Sequence, residues 1–240
     1  IGDSHLEAYQ ELTLLEQQQH VVSGVFDTET EEFDSDLPTD HFYNKELIFI
    51  RHGQAADPDE PDSELSEEGK QQIRMVCSHL LNTFEIKSFI GFTSPLLRCL
   101  QSALVIHELL DLDFQVRSEV MEIPIFLEEG QQYRLQNHRS KFPQFRWTTS
   151  EDWILTTETQ RNFLNRTKQA LQEFPGRCIV VTHYGFICNA TRFALCDQKA
   201  NVVATGAVPP ASVTFIDKQE VKCLGWTHEE NAQDRPKIVI

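Results

Sequence analysis

A guanidinium and an imidazole follow an apolar stretch of the kind that forms buried strands. Residues 47–50 are four apolar residues that lead into Arg51 and His52 with no polar residue between them. Such a short apolar run predicts a strand that is buried on both faces. Ligands of open α/β sheets bind beyond the carboxyl ends of these strands. An Arg can bind phosphate there through two hydrogen bonds, and Gly53 allows the backbone to approach the ligand closely.

Two later segments predict partners for this pair. A strand at 178–182 leads into His183, and a helix that begins at Ser94 and Pro95 carries Arg98 in its first turn. Ser at the N-cap and Pro at the first helical position are the usual start of a helix. Alternating strands and helices predict parallel strands whose carboxyl ends share one edge of a sheet. We therefore expect both histidines and both arginines to meet at that edge.

Two imidazoles, two guanidiniums and a helix start describe a phosphate pocket that contains a nucleophile. A neutral His can attack phosphorus through its ring lone pair, and the other groups can hold the oxygens on which charge develops. The leaving alkoxide also needs a proton. Glu122 lies in the otherwise apolar run 120–123, where burial would raise the pKa of its carboxyl group and make it a general acid. Glu119, Glu128 and Glu129 lie close by and remain alternatives.

Composition and charge argue against two classes of protein. Of the 240 residues, 40% are hydrophobic and 24% are charged, as in ordinary globular proteins. The net charge of −16 argues against nucleic-acid binding, which needs a basic surface. Residues 1–44 hold 11 acidic residues and no Lys or Arg, whereas residues 45–240 hold 26 acidic and 21 basic ones, so the body can still bind an anion. No apolar run approaches the roughly 18 residues that a membrane span needs.

Residues 1–44 are predicted to be an acidic extension of one domain at 45–240. Residues 6–22 carry apolar side chains at helical spacing and predict a helix that packs on the domain or binds a protein partner. Residues 27–40 contain seven acidic side chains and no basic one, which is typical of a mobile linker or an interaction tail. The chain begins at Ile1 without an apolar leader, and its six cysteines form no C-x-x-C pair. We therefore expect reduced thiols and a cytoplasmic location.

The alternation of strands and helices predicts an α/β fold. We expect a three-layer sandwich in which helices cover both faces of a mostly parallel central sheet. The predicted elements are strands at 47–50, 86–92, 114–117, 178–182, 212–217 and 221–226, and helices that begin at Ser66, at Ser94 and after His183 or span 158–174. Residues 55–65 are predicted to form a loop, and residues 131–157 a lid-like or irregular region.

Segments of the chain resemble, in order, the motifs of the histidine phosphatase superfamily, which is also called phosphoglycerate mutase-like. These segments are Arg51-His52-Gly53-Gln54, residues 65–69, residues 93–103, residues 120–122 with 129–130, residues 181–185, and residues 211–214, which resemble the family's late strand. The resemblance covers residues 46–217. It is specific because several motifs occur in the family's order and each has the expected structural context. It implies the family's fold and places the chain in its phosphatase branch.

The resemblance also implies a role for each candidate residue. His52 is expected to be the nucleophile that becomes phosphohistidine. Arg51, Arg98 and His183 are expected to hold the phosphoryl group, so His183 is both a catalytic and a phosphate-binding residue. Glu122 is expected to be the general acid and then the base that activates water. The resemblance implies neither a metal nor another cofactor.

Substrate recognition is where the chain departs from the family. Gln54 and Tyr184 are the expected substrate-binding residues. Tyr184 stands where the family often has Gly, so we expect it to narrow the pocket or to stack on a ligand. Ala55 and Pro58 stand where family members often carry Thr and Asn, whose side chains commonly help to bind the substrate.

Three functions are compatible with these residues. The first is a metal-independent phosphatase of a small phosphorylated metabolite or of a phosphoprotein. The second is a phosphomutase, and the third is a scaffold that binds a phosphorylated partner without catalysis. The 131 residues from His52 to His183 are few for the extra segments that mutases of the family use. Since every catalytic residue type is also present, we predict the phosphatase.

Overall fold

The structure is a computed structural model that describes residues 44–122, 132–148, 154–195, 208–218 and 220–227. The acidic extension predicted at 1–44 lies outside these residues, apart from Asn44. The alternative acids Glu128 and Glu129 also lie outside them.

The described residues contain nine strands and four α-helices. The strands are β1 (Glu46–Arg51), β2 (Ile90–Thr93), β3 (Phe114–Val116), β4 (Gln132–Arg134), β5 (Arg146–Trp147), β6 (Ile154–Thr156), β7 (Arg177–Thr182), β8 (Val213–Asp217) and β9 (Glu220–Trp226). The α-helices are α1 (Glu67–Thr83), α2 (Leu97–Leu110), α3 (Gln160–Glu173) and α4 (Tyr184–Leu195). Two 3-10 helices span Ile86–Ser88 and Ser118–Val120.

Seven of these strands form one sheet in the order β5-β3-β2-β7-β1-β8-β9. The strands from β5 to β1 are parallel to one another, whereas β8 is antiparallel to both β1 and β9. The predicted mostly parallel central sheet is therefore confirmed. Because β1, β7 and β2 are adjacent, the residues that follow them emerge side by side at one edge.

The register of the sheet brings the ends of these three strands level with one another. Arg51 pairs with Thr182, and Thr93 pairs with Val181. The ladder continues one residue further, because the His52 N–H donates to the Thr182 carbonyl at 3.0 Å. The backbone positions of His52, Ser94 and His183 are therefore adjacent at one edge of the sheet, as the alternation of strands and helices predicted.

Side chains of β1 alternate between two hydrophobic cores. Ile48 and Ile50 pack in the core that α1 and α2 cover, whereas Leu47 and Phe49 pack in the core that α3 and α4 cover. All four side chains are fully buried, and burial of such a side chain contributes about 1.5–3 kcal/mol to folding. Helices on both faces of the sheet confirm the three-layer sandwich.

The predicted strand at 86–92 is wrong in its first half. Ile86–Ser88 forms a 3-10 helix, and the strand starts only at Ile90. The Ser88 hydroxyl donates to the Glu85 carbonyl at 2.6 Å, and the Ser88 N–H donates to the same carbonyl at 3.2 Å. These bonds close a turn, which a run of apolar residues does not reveal.

The region predicted to be lid-like or irregular, 131–157, contains three strands that were not predicted. β4 pairs with β6 in a separate two-stranded sheet, and β5 extends the central sheet beside β3. Phe142 and Phe145 are buried in the main core, and Phe145 packs against Phe114. Part of this region is therefore core rather than an irregular cover. Its apolar residues follow neither helical nor strand periodicity, so their burial was not evident from the sequence.

Candidate active site

His52 follows β1 directly and has its ring held in one orientation. Its Nδ1 lies 2.7 Å from the Gly53 carbonyl oxygen, which can only accept a hydrogen bond, so Nδ1 carries the proton. The lone pair is then on Nε2. Arg98 Nε donates to this atom at 3.2 Å. The nitrogen that can act as a nucleophile therefore accepts a hydrogen bond from a guanidinium, a group that can also bind phosphate.

Gly53 is required because the start of α1 packs directly against the His52 loop. A Cβ on Gly53 would overlap the backbone carbonyl of Gly69, and a Cβ on Gly69 would overlap the backbone of Gln54. The N-cap of α1 is Ser66, as predicted, and its hydroxyl accepts from the Gly69 N–H at 2.9 Å. The turn of helix that follows this cap thus supports the loop that carries the nucleophile.

Arg98 lies in the first turn of α2, but the helix starts later than predicted. It begins at Leu97, so Ser94 is not its N-cap. Ser94 instead places its hydroxyl 2.8 Å from Nε2 of His183. The prediction is wrong here because a buried imidazole competes with the helix N-terminus for the same hydroxyl group. Arg98 itself reaches the Pro61 carbonyl through Nη1 at 2.8 Å.

His183 stands at the end of β7, beside His52. The centroids of the two rings are 5.1 Å apart, and the rings meet edge to face. Nδ1 of His183 lies 3.5 Å from Nη2 of Arg98. The guanidinium of Arg98 therefore contacts both imidazoles, so the structure brings these three predicted residues together.

Burial and positive charge keep both imidazoles neutral. Burial lowers the pKa of His52 well below its ordinary value of 6.5, and the charges of Arg98 and Arg51 lower it further. The same causes, burial first, lower the pKa of His183. Nearby Cys99 is no competing nucleophile, because burial raises the pKa of its thiol to about 12.

Arg51 is half-buried and precedes His52 at the end of β1. Its Nη1 donates to the Val208 carbonyl at 2.7 Å, and its Nε has no hydrogen-bond partner among the described residues. The guanidinium carbon lies 5.6 Å from the centroid of the Tyr184 ring. Burial lowers the pKa of Arg51, while the negative charge of Glu122 opposes this shift. Arg51 thus has an unused donor, and Glu122 is near enough to act on it electrostatically.

Glu122 is held against the start of α4. Its Oε2 accepts from the Gly185 N–H at 3.1 Å. A Cβ on residue 185 would overlap the Glu122 carboxylate, so Gly is needed for this approach. The Thr182 hydroxyl donates to the Val120 carbonyl at 2.6 Å and ties the segment to the end of β7. The carboxylate therefore lies immediately beyond the strand that carries His183.

Arg166 of α3 supports the same segment and was not predicted. Its Nη1 donates to the carbonyls of Glu119 and Met121, each at 2.9 Å. Its other nitrogens bind both carboxylate oxygens of Glu158. A cavity of about 260 Å³ opens between these elements, and it is lined by Met121, Glu122, Ile154, Leu155, Thr156, Thr157, Glu158, Asn162 and Arg166.

The structure separates Glu122 from its neighbouring alternative. The Glu119 carboxylate forms an ion pair with Arg117 at 3.1 Å. Glu122 is thus the acid, among those described in this segment, that contacts the start of α4.

The two predicted substrate-binding residues differ in position. Tyr184 is half-buried and packs beside Arg51. Gln54 is exposed, and its backbone N–H donates to Oε1 of Gln72 at 3.0 Å. The structure therefore brings the Tyr184 ring to Arg51 and leaves the Gln54 side chain at the surface.

Several residues that build the site were not found by sequence reasoning. They act through polar contacts between distant segments, which no local spacing reveals. Ser102 is an example, since its hydroxyl accepts from the Gly53 N–H at 3.2 Å. The motif around Arg98 contains Ser102, and its position one helical turn after Arg98 is the signal that could have identified it.

Comparison with known proteins identifies the family. The family model for the histidine phosphatase superfamily (branch 1) matches residues 47–227. The chain therefore belongs to this superfamily, as its motifs predicted. A comparison with curated proteins found no match.

Solved structures share the fold at low sequence identity. The ecdysone phosphate phosphatase EPPase from Bombix mori, in complex with tungstate, is 15% identical, with a TM-score of 0.57 over 78% of this chain and 95% of that chain. Mycobacterial hydrolase 1 is 16% identical, with a TM-score of 0.53 over 76% of this chain and 99% of that chain. Mycobacterial hydrolase 2 is 17% identical, with a TM-score of 0.51 over 79% of this chain and 94% of that chain. At these identities, the similarity of the three structures concerns the fold alone.

The described residues contain neither a metal-binding cluster nor a membrane-spanning helix. No three His, Cys, Asp or Glu side chains in this part of the chain are grouped so that they could hold a metal ion. None of the helices described is long and apolar enough to cross a membrane.

Proposed function

We propose that the protein hydrolyses a phosphate monoester, without a metal, through a phosphohistidine on His52. The observation that carries this proposal is the orientation of the His52 ring. Its Nδ1 donates to the Gly53 carbonyl, and its unprotonated Nε2 accepts a hydrogen bond from Nε of Arg98. Burial and the nearby arginines hold its pKa well below 6.5, so the ring is an unprotonated nucleophile at neutral pH. Membership of the histidine phosphatase superfamily supports the same chemistry.

The first step transfers the phosphoryl group to the enzyme. The Nε2 lone pair of His52 attacks phosphorus, a P–N bond forms, and the ester P–O bond breaks. Arg51, Arg98 and His183 stabilise the negative charge on the phosphoryl oxygens in the transition state. Glu122, in its protonated form, gives its proton to the leaving alkoxide.

The second step regenerates the enzyme. Glu122, now a carboxylate, takes a proton from a water molecule that attacks phosphorus. A new P–O bond forms, the P–N bond breaks, and inorganic phosphate leaves. Neutral His52 and protonated Glu122 are restored, so the cycle balances in protons and consumes one water.

The proposed substrate is a small phosphorylated metabolite or a phosphoprotein. We propose a cytoplasmic location, because the cysteines in the described part of the chain, Cys77, Cys99, Cys178, Cys188 and Cys223, are not joined in disulfides. Residues 1–44 are proposed to contact a protein partner, because their charge is strongly acidic. A nucleic acid or a membrane is not proposed as a partner.

Two other functions are distinguishable by product. A phosphomutase would return the phosphoryl group to another position of the same substrate without release to water. A scaffold that binds phosphorylated ligands would bind phosphate but release none. The neutral, oriented Nε2 of His52 favours catalysis over binding alone, and the described part of the chain favours neither phosphomutase nor scaffold.

The experiment is hydrolysis of p-nitrophenyl phosphate in EDTA by the wild type and by His52→Ala. We expect activity that survives chelation and is lost in the variant. His107→Ala is the matched control, because His107 lies near the other end of α2 and should retain activity. Unchanged turnover by His52→Ala would contradict the proposal.

A further inference from the structure

A buried carboxylate connects the phosphate pocket to a segment outside it. Asp62 lies in the loop after His52, and its side chain is 5% exposed. Its Oδ1 accepts from the Leu97 N–H at 2.8 Å. Its Oδ2 lies 2.8 Å from Nε2 of His138, whose side chain is 2% exposed. Buried carboxylates are rare unless their oxygens are bonded in this way.

The bond to Leu97 completes the N-terminus of α2. The residue at the N-cap position is Leu96, which offers no capping side chain, so the first N–H groups of the helix need other acceptors. Asp62 provides one of them from a different loop. A carboxylate there is also favoured by the positive end of the helix dipole.

The next helical residue is Arg98, which is held from the same loop. Its Nη1 donates to the carbonyl of Pro61, the neighbour of Asp62. Two consecutive loop residues therefore fix the helix start and the guanidinium that faces His52. A shift of Asp62 would therefore displace both the bond to the Leu97 N–H and the Pro61 carbonyl that binds Arg98.

His138 anchors Asp62 from the far side. It lies between β4 and β5, in the region 131–157 that was predicted to be lid-like or irregular. A second bond joins the same two segments, because the Tyr133 hydroxyl donates to Oε1 of Glu60 at 3.1 Å. The arrangement links the phosphate-binding arginine to a segment that is far away in the sequence.

We infer that Asp62, anchored by His138, is a positioning residue for Arg98. This inference rests on the proposed function, since it assigns Arg98 to the phosphoryl group. Asp62 itself does not touch the substrate. It sets where the guanidinium stands, and it makes the position of Arg98 depend on the segment that contains His138.

The first test compares Asp62→Ala with Asp57→Ala for p-nitrophenyl phosphate hydrolysis and for inorganic phosphate binding. Asp57 lies in the same loop, is exposed, and accepts only a local bond from the Asp59 N–H in the described structure. We expect Asp62→Ala to lower kcat/KM by roughly 10- to 100-fold, as a misplaced catalytic group does. We expect it to weaken phosphate binding as well.

The direction of the binding change separates positioning from a simple charge effect. Removal of a negative charge near the pocket would by itself tighten the binding of an anion. Tighter or unchanged phosphate binding by Asp62→Ala would therefore overturn the inference. Asp62→Asn keeps an oxygen for the Leu97 N–H, so it should lie closer to the wild type than Asp62→Ala.

A double-mutant cycle tests whether Asp62 acts through Arg98. Adding Asp62→Ala to Arg98→Ala should then cause little further loss of phosphate affinity, although either change alone weakens binding. Additive losses would overturn the inference. Calorimetric binding of phosphate needs no turnover, so this test stands even where hydrolysis by the wild type is absent and the proposed function fails.

His138 provides variants that leave Asp62 in place. His138→Gln keeps a donor near the position of Nε2 and should retain phosphate affinity, whereas His138→Leu should weaken it in the same direction as Asp62→Ala. This comparison keeps the inference testable should Asp62→Ala fail to fold. Equal phosphate affinity for His138→Leu and the wild type would overturn the role of His138 as the anchor.

Discussion

The histidine pocket and the segment that carries Glu122 are positioned by different forces. His52 and His183 follow paired strands whose apolar side chains are fully buried, so backbone ladders set their separation. Glu122 follows a 3-10 helix and depends on bonds from Gly185 and Arg166 to its carboxylate and its segment. The pocket is thus part of the core, whereas the acid is placed by a few polar contacts.

This difference separates two components of the first step of the proposed reaction, which is the step that kcat/KM reports. Attack on phosphorus uses the pocket and is common to every phosphate ester. Protonation of the leaving group uses Glu122, and its importance varies with the basicity of that group. Changes in the pocket should therefore affect all substrates alike, and changes near Glu122 should affect them according to the leaving group.

The largest expected effect after loss of His52 is that of Arg98→Ala. This variant removes the guanidinium that contacts both imidazoles. We expect kcat/KM to fall roughly 100- to 1000-fold, as it does when one transition-state donor is lost. The loss should be similar for p-nitrophenyl phosphate and for an alkyl phosphate. A loss confined to one of the two substrates would contradict the assignment of Arg98 to the phosphoryl group.

Glu122→Gln should discriminate between the same two substrates. An alkoxide needs a proton in the transition state, so we expect kcat/KM for an alkyl phosphate to fall about 100-fold. Nitrophenolate leaves without protonation, so kcat/KM for its ester should change much less. Glu119→Gln is the matched control, since Glu119 pairs with Arg117 instead. Equal losses for both substrates would argue against Glu122 as the general acid.

Gly185→Ala should reproduce a weaker form of this result. The added Cβ would overlap the Glu122 carboxylate and displace it from the Gly185 N–H. We expect roughly a tenfold loss of kcat/KM for alkyl phosphates, because a displaced group loses part of its catalytic effect. Gly176→Ala is the control, since its Cβ would meet its nearest neighbour, the Asn44 carbonyl, at an ordinary 3.5 Å. Identical kinetics for both alanine variants would show that the approach to Gly185 does not matter.

The smallest effect concerns stability rather than rate. The pKa values of His52 and His183 are lowered by burial from 6.5, so the unfolded chain binds protons at a higher pH than the folded protein. Their contribution is therefore complete above pH 6.5, and it declines as the pH falls below that value toward the folded pKa. Urea unfolding at a series of pH values should show this decline. The slope should be smaller in His52→Gln, and an unchanged slope would show that protonation of His52 does not cause the decline.

The sequence was most informative about elements that a local pattern of apolar residues specifies. Apolar runs predicted β1 and β7, and the residues after them predicted His52 and His183 at one edge of the sheet. Helix α3 was predicted because its buried face repeats at helical spacing, and it spans Gln160–Glu173. These features depend on local patterns that tertiary contacts reinforce.

Prediction was weakest where distant segments share a polar group. Ser94 has the sequence pattern of an N-cap, yet its hydroxyl faces His183. Asp62 stands in an acidic, Pro-containing loop, yet it is buried and bonds to Leu97 and His138. Local sequence gives the residue type in both cases but not the partner, because the partner comes from the packing of another element.

The phosphohistidine on His52 is tested most directly by trapping the phosphoenzyme. The full chain carrying Glu122→Gln would be mixed with p-nitrophenyl phosphate and quenched in alkali, where phosphohistidine is stable, and its peptides would be examined by mass spectrometry. Since water activation is slowed in this variant, we expect one phosphoryl group on His52, and none in the His52→Ala, Glu122→Gln double variant. A phosphoryl group on another residue, or turnover with no phosphoenzyme at any time, would contradict the proposed mechanism.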